Sequence, residues 1–137
     1  MKVINKIAIS LITCLSIGAM AIDNPLPPNQ AFHFNAKVEN NSIMIYGSTE
    51  RGYRLYKDSI KIINNKSKVT FKEIIKSPGK KVFNEFLNKY QEEYEGDFAL
   101  EIPITGKGKI EFDLQSQGCT KGLCYSPFLT HIKLEKN

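Results

Sequence analysis

Apolar residues along this chain recur mostly at every second position. From Ala31 to Val38, the side chains of Phe32, Phe34, Ala36 and Val38 fall on one face, the period of a half-buried strand. Glu39 to Ser42 is turn by composition, and Ile43 to Tyr46 predicts a second strand ending at Gly47. Arg51 to Tyr56 opens a third, which runs on through Ile60, Ile62 and Ile63. Asn64 to Ser67 turns the chain, and Val69 and Phe71 face one way in a strand that decays into Ser77-Pro78-Gly79. Between Phe83 and Tyr94 the spacing of Phe83, Phe86, Leu87, Tyr90 and Tyr94 is nearer 3.6 than 2, which predicts a short helix or an ordered long loop with one wet side. Phe98 to Ile104 resumes strand. Pro103 cannot donate to a ladder, so this strand is expected at an edge or with a bulge. Ile110, Phe112 and Leu114 alternate with Lys109, Glu111 and Asp113, and Phe128, Thr130, Ile132 and Leu134 form a last alternating strand. Seven or eight short strands separated by turn signals predict an all-β fold, a single antiparallel β-sandwich.

The first residues follow different rules. Lys2 and Lys6 precede an apolar run from Ile7 to Ile17 and then Ala19-Met20-Ala21, small residues where signal peptidase reads. Residues 1–21 are therefore expected to be a cleaved signal peptide and 22–137 the exported domain. The run is short for a membrane span, which leaves an uncleaved anchor as the alternative. Lipidation at Cys14 is disfavoured by Thr13 before it. Export sets the redox compartment, since thiols outside the inner membrane can be held as disulfides. Cys14 leaves with the signal peptide, so the mature chain keeps two of three cysteines. Loss of Lys2 and Lys6 lowers the formal charge from +5 to +3, with lysines scattered among acids. No basic stripe with interleaved aromatics points to nucleic acid. His33 and His131 are too isolated for a metal site, and nothing calls for a cofactor.

The remaining pair, Cys119 and Cys124, lies in QGCTKGLCYSP, bracketed by Gly118 and Gly122. In an exported protein such a pair is commonly an inert staple. Closing so small a loop contributes only about 2 kcal/mol, against about 4–5 for a bond between distant strands. A sandwich of this size can also bury its own core without one. Lys121 between the cysteines favours thiolate. A lone CxxxxC is a weak motif, however, and residue by residue staple and reagent remain equal alternatives.

Several stretches resemble the N-terminal periplasmic (alpha) domain of the thiol:disulfide interchange proteins, DsbD. They are Pro28 to Phe34, Gly52 to Ile60 with its GYxLY pattern, Asn84-Glu85-Phe86, and the block QGC…GLCYSP from Gln117 to Pro127, in that order along the chain. Three positions depart from the family pattern: one residue fewer separates the cysteines, Asn84 replaces an acid, and Ser126 replaces a proline. The resemblance implies an immunoglobulin-like sandwich, a redox-active disulfide between Cys119 and Cys124, and electron relay as a protein-disulfide reductase component. It also implies that Cys124 forms mixed disulfides and Cys119 resolves them. Glu85 and Phe86 would cover the site, with Tyr53, Tyr56 and Tyr125 lining it, although each aromatic would serve equally in the core. The acceptors implied are periplasmic thioredoxin-fold proteins, such as a disulfide isomerase and a cytochrome c maturation thioredoxin. Longer members of the family continue into membrane helices and a thioredoxin-like domain, so the donor expected here is a separate membrane electron transporter or thioredoxin-like protein. The domain is expected to act as a monomer. The competing reading is an exported immunoglobulin-like binding module whose short disulfide only shapes a loop.

Overall fold

Apolar side chains at alternate positions would wander around a helix axis, but they share one face of a strand and can be buried together. The computed structural model describes residues 24–85 and 87–137 and follows that logic. The expected signal peptide, Cys14 and Phe86 lie outside the described residues. A single helical turn, α1 (Pro28–Ala31), leads into β1 (Phe32–Glu39) and β2 (Ser42–Thr49). Then come β3 (Tyr53–Tyr56), a 3-10 turn (Lys57–Ser59), β4 (Lys61–Ile63), β5 (Thr70–Phe71) and β6 (Ile75–Lys76). They are followed by β7 (Lys80–Asn84), β8 (Lys89–Tyr94), β9 (Asp97–Thr105) and β10 (Gly108–Ser116). The chain closes with β11 (Gly118–Thr120), β12 (Leu123–Cys124) and β13 (Phe128–Lys136).

These strands make the two layers of an immunoglobulin-like sandwich. One layer is β1-β2-β9, with β5 and β6 on the far side of β9. The other is β13-β10-β4, which continues past a bend into β12-β11-β3-β8-β7. Ile43, Ile45, Leu100 and Ile102 of the first layer meet Leu55, Ile110, Phe112 and Leu114 of the second, all fully buried. Each such side chain contributes roughly 1.5–3 kcal/mol of transfer free energy, so this seam dominates the stability of the fold.

The bend in the second layer is pinned by one hydroxyl. Ser59 Oγ donates to the Tyr56 carbonyl (2.6 Å) and accepts from the Gln117 N–H (2.9 Å). The Tyr56 N–H donates to the Gln117 carbonyl at 3.0 Å. The long third strand expected from the sequence is thereby divided: β3 pairs with β11 while β4 pairs with β10.

Two further expectations are corrected. Residues 83–94 are not a short helix or an ordered long loop but belong to the β7–β8 hairpin, in which Phe83 lies opposite Tyr90 with ring centroids 5.1 Å apart. Asn88, at a φ of 50°, helps close it. The strand containing Pro103 is not at an edge, since β2 flanks it on one side and β5 and β6 on the other. The Pro103 carbonyl accepts from the Lys72 N–H at 2.8 Å, so its missing N–H falls on that same side. There the partner strand is split into β5 and β6, and the ladder loses nothing that it needs.

Candidate functional site: a cross-strand disulfide

The segment read as a cysteine loop is a tight hairpin. Lys121 and Gly122 connect β11 to β12, and Gly122 takes the positive φ (80°) that such a turn demands. The register sets Cys119 directly opposite Cys124, with Cα atoms 4.1 Å apart, and the two form a disulfide. The two sulfur-bearing residues have unlike surroundings. Cys119 is fully buried on β11, between β3 and β12, whereas Cys124 is exposed on a two-residue edge strand. A group arriving from solvent therefore meets Cys124.

Gly118 brings this hairpin down onto the core. A Cβ there would stand 2.4 Å from Phe32 Cζ and 2.7 Å from the Arg54 carbonyl oxygen, so only glycine allows β11 to pair with β3 beneath that ring. Phe32 meets Tyr53 and Tyr125 edge-on, at 6.0 and 5.8 Å, and stacks on Phe128 at 5.3 Å. The proline-rich lead-in is clasped by the same group: the Leu26 N–H donates to the Tyr53 hydroxyl (2.7 Å), and the Tyr125 hydroxyl donates to the Leu26 carbonyl. Burial raises the Tyr125 phenol above its ordinary value, which keeps it a donor. The Gln117 side-chain amide donates to the Tyr125 carbonyl (3.2 Å), and the Tyr125 N–H donates to the Gly118 carbonyl (2.9 Å), tying the exit from β12 back to β11.

A polar row crosses the outer face of β11, β3 and β8. Arg54 is opposite Cys119, and Tyr56 is opposite Glu93. The Tyr56 hydroxyl lies 3.1 Å from Cys119 Sγ and must be the donor, because a disulfide sulfur carries no proton. Glu93 is only 7% exposed, and its Oε1 is 3.5 Å from Arg54 Nε. Burial raises the Glu93 carboxyl above its ordinary value; Arg54 opposes that shift and Glu95 adds to it. A cavity of about 520 Å³ includes Arg54, Tyr56, Asn84, Glu85, Glu93 and Cys124 in its walls.

Of the residues singled out from the sequence, the structure thus gathers Cys124, Tyr56 and Glu85 around one opening, with Cys119 fully buried behind its disulfide partner. Tyr53 and Tyr125 cluster about Phe32 instead, and neither lines that cavity. Asn84 caps the hairpin loop: its Oδ1 accepts from the Leu87 N–H (3.0 Å), and its amide donates to Gln91 Oε1 (3.1 Å). His131 is a surface residue of β13, 2.8 Å from Asp113. Arg54 and Glu93 were missed by the sequence reading. For Glu93 the signal was its alternation with Gln91 along β8, which a helical reading of residues 83–94 scrambles.

The fold and the site define an immunoglobulin-like domain that carries one surface disulfide, half open and half buried. Residues 23–136 match the family model described as thiol:disulfide interchange protein DsbD, N-terminal, and the chain belongs to that family. It is 28% identical over 124 residues to the thiol:disulfide interchange protein DsbD of Ralstonia nicotianae, covering 88% of this chain and 20% of that protein. It is 27% identical over 131 residues to DsbD of Pasteurella multocida, covering 93% of this chain and 22% of that protein. The chain thus spans about a fifth of the length of these curated relatives. Among solved structures it resembles the reduced N-terminal domain of Neisseria meningitidis DsbD, with a TM-score of 0.69, 23% identity, and coverage of 82% of this chain and 90% of that one. The same domain in complex with the PilB N-terminal domain gives a TM-score of 0.68 at 22% identity, covering 82% and 88%. At these identities the structural likeness is one of fold.

Proposed function

We propose that this domain relays electrons by thiol–disulfide exchange through Cys119 and Cys124, facing thioredoxin-fold partners in the periplasm. The observation that carries the reading is the unequal exposure of the two cysteines within one disulfide. A partner thiolate attacks Cys124 Sγ, the bond to Cys119 breaks, and the electron pair leaves on Cys119 while Cys124 is held in a mixed disulfide. A second partner thiolate then releases Cys124, and the partner departs oxidised. With an acceptor the steps reverse: Cys124 attacks the acceptor disulfide, and Cys119 resolves the intermediate. Membership of the family supports this chemistry, and a Neisseria relative has been seen joined to the N-terminal domain of PilB. The donor would be a membrane electron transporter or a thioredoxin-like protein. The acceptors would be a disulfide isomerase or a cytochrome c maturation thioredoxin. Glu85, in the turn that follows β7, would shield the site together with its sequence neighbour Phe86 until a partner arrives, and residues 1–21 would direct export.

The test is trapping. Reduced Cys119→Ala protein is mixed with an oxidised thioredoxin-fold protein and run on a non-reducing gel. A mixed disulfide through Cys124 is expected, at least tenfold more than Cys124→Ala forms through Cys119. Absence of any adduct, together with a reduction potential below about −300 mV, would instead mark an inert structural bond.

A further inference from the structure

Cys119 is fully buried, so opening the disulfide at Cys124 deposits an electron pair where water cannot solvate it. Burial alone raises the energy of such a thiolate. Two groups of β3 answer that cost. Tyr56 already points its hydroxyl at Cys119 Sγ, 3.1 Å away. Arg54 occupies the position directly opposite Cys119, where cross-strand Cβ atoms stand about 5 Å apart. Its guanidinium is engaged on the far side by Glu93, at 3.5 Å. Cation, hydroxyl, carboxylate and sulfur therefore form one continuous row over three strands.

We propose that Arg54 and Glu93 set the stability of the Cys119 thiolate in opposite senses: Arg54 stabilises it, and Glu93 holds the guanidinium and offsets its charge. This inference rests on the exchange reading given above. No proton has to move when the S–S bond breaks. The electron pair stays on Cys119 Sγ, facing the Tyr56 hydroxyl and the Arg54 charge, until Cys119 either attacks Cys124 again or takes a proton from solvent. Arg54 thus favours the reduced pair, and Glu93 restrains that preference. The other charged groups facing Glu93 are Glu95, just past the end of its strand, and Lys80 of β7, with Glu85 at the rim of the same cavity. Since burial raises the Glu93 carboxyl, falling pH neutralises Glu93 ahead of an ordinary glutamate and leaves Arg54 unopposed. One charge at about 8 Å in an effective dielectric of about 20 changes a thiol pKa by roughly one unit after screening.

The test is a pH titration of Cys119 thiolate absorbance in chemically reduced protein carrying Cys14→Ala and Cys124→Ala. Arg54→Gln is expected to raise the Cys119 pKa by about one unit, Glu93→Gln to lower it by about as much, and Arg54→Lys to stay near the parent. With Cys124 restored and the pH above the Cys119 pKa, the reduction potential should move by about 30 mV, more negative for Arg54→Gln and more positive for Glu93→Gln, the equivalent of tenfold in equilibrium. Shifts in the same direction, or no shift in the near-isosteric Glu93→Gln, would overturn the proposal. If Arg54→Gln fails to fold, Glu93→Gln and Arg54→Lys still decide it. Because the titration needs no partner, opposite shifts in a protein that exchanges with nothing would refute the relay while leaving the charge pair standing. Normal exchange with unmoved pKa values would do the reverse.

Discussion

Gly118 is where the cysteine hairpin depends most directly on the core. In Gly118→Ala the new methyl group would stand 2.4 Å from Phe32 Cζ and 2.7 Å from the Arg54 carbonyl oxygen. The ring has little room to retreat, because it is stacked on Phe128 and held edge-on by Tyr53 and Tyr125. The carbonyl belongs to the β3 backbone beside the β3–β11 ladder, so relief there means moving a strand. Overpacking usually costs about 1–3 kcal/mol, and a clash with backbone places this site at the upper end, about 3 kcal/mol. In urea, with a slope of about 1.5 kcal/mol per M, the unfolding midpoint of the oxidised protein should fall by about 2 M. Gly122→Ala is the control. Nothing lies within 4 Å of its Cβ position, and only the positive φ of 80° penalises a side chain. The expected loss there is about 1 kcal/mol. In a Phe32→Leu background, Gly118→Ala should cost about 1 kcal/mol less than in the parent, because one of its two collisions is removed. Equal losses at the two glycines, or no relief from Phe32→Leu, would refute the close-approach argument.

Ser59→Ala removes the partner of the Gln117 N–H at the bend of the second layer and should cost about 1–2 kcal/mol. Hydrogen exchange should accelerate at Gln117 and Tyr56 while the β10–β13 amides stay protected; uniform acceleration would mean that the hydroxyl pins no particular bend. The acid limb of stability should depend on Asp113. Hydrogen bonds from the Asn64 amide and then from His131, both at 2.8 Å, hold its carboxyl below the ordinary 3.8. A depressed folded value contributes stability above the unfolded pKa, and that contribution is lost as pH falls through the folded one. Melting temperatures of Asp113→Asn across about pH 2–5 should therefore fall less steeply than those of the parent. Parallel curves would show that the pair contributes nothing.

Much of this architecture is local in origin and was open to reading. Alternation at Phe32–Val38, Ile43–Ile45, Phe98–Ile104 and Ile110–Leu114 settles which side chains face inward, because successive strand side chains point to opposite faces wherever the strand ends up. The cysteine pair, its glycines and the family pattern around them are equally properties of the chain. Residues 83–94 misled for a definite reason. A separation of seven residues is two turns of helix, and it is also the distance between residues facing each other across a hairpin, as Phe83 and Tyr90 do. Pro103 misled likewise, because an absent N–H is harmless wherever the neighbouring strand is broken, and that break lies some thirty residues earlier in the chain.

What the sequence determined by itself was the sandwich and the pair of sulfurs. Tertiary structure decided how those sulfurs differ. Both cysteines sit in short strands five positions apart, yet one is enclosed between β3 and β12 and the other lies at an edge. Tertiary structure alone also brought Arg54 beside Cys119 and set Glu93, nearly forty residues further along, against its guanidinium. Burial and charge pairing are sums over neighbours drawn from distant parts of the chain, and no window of sequence contains them.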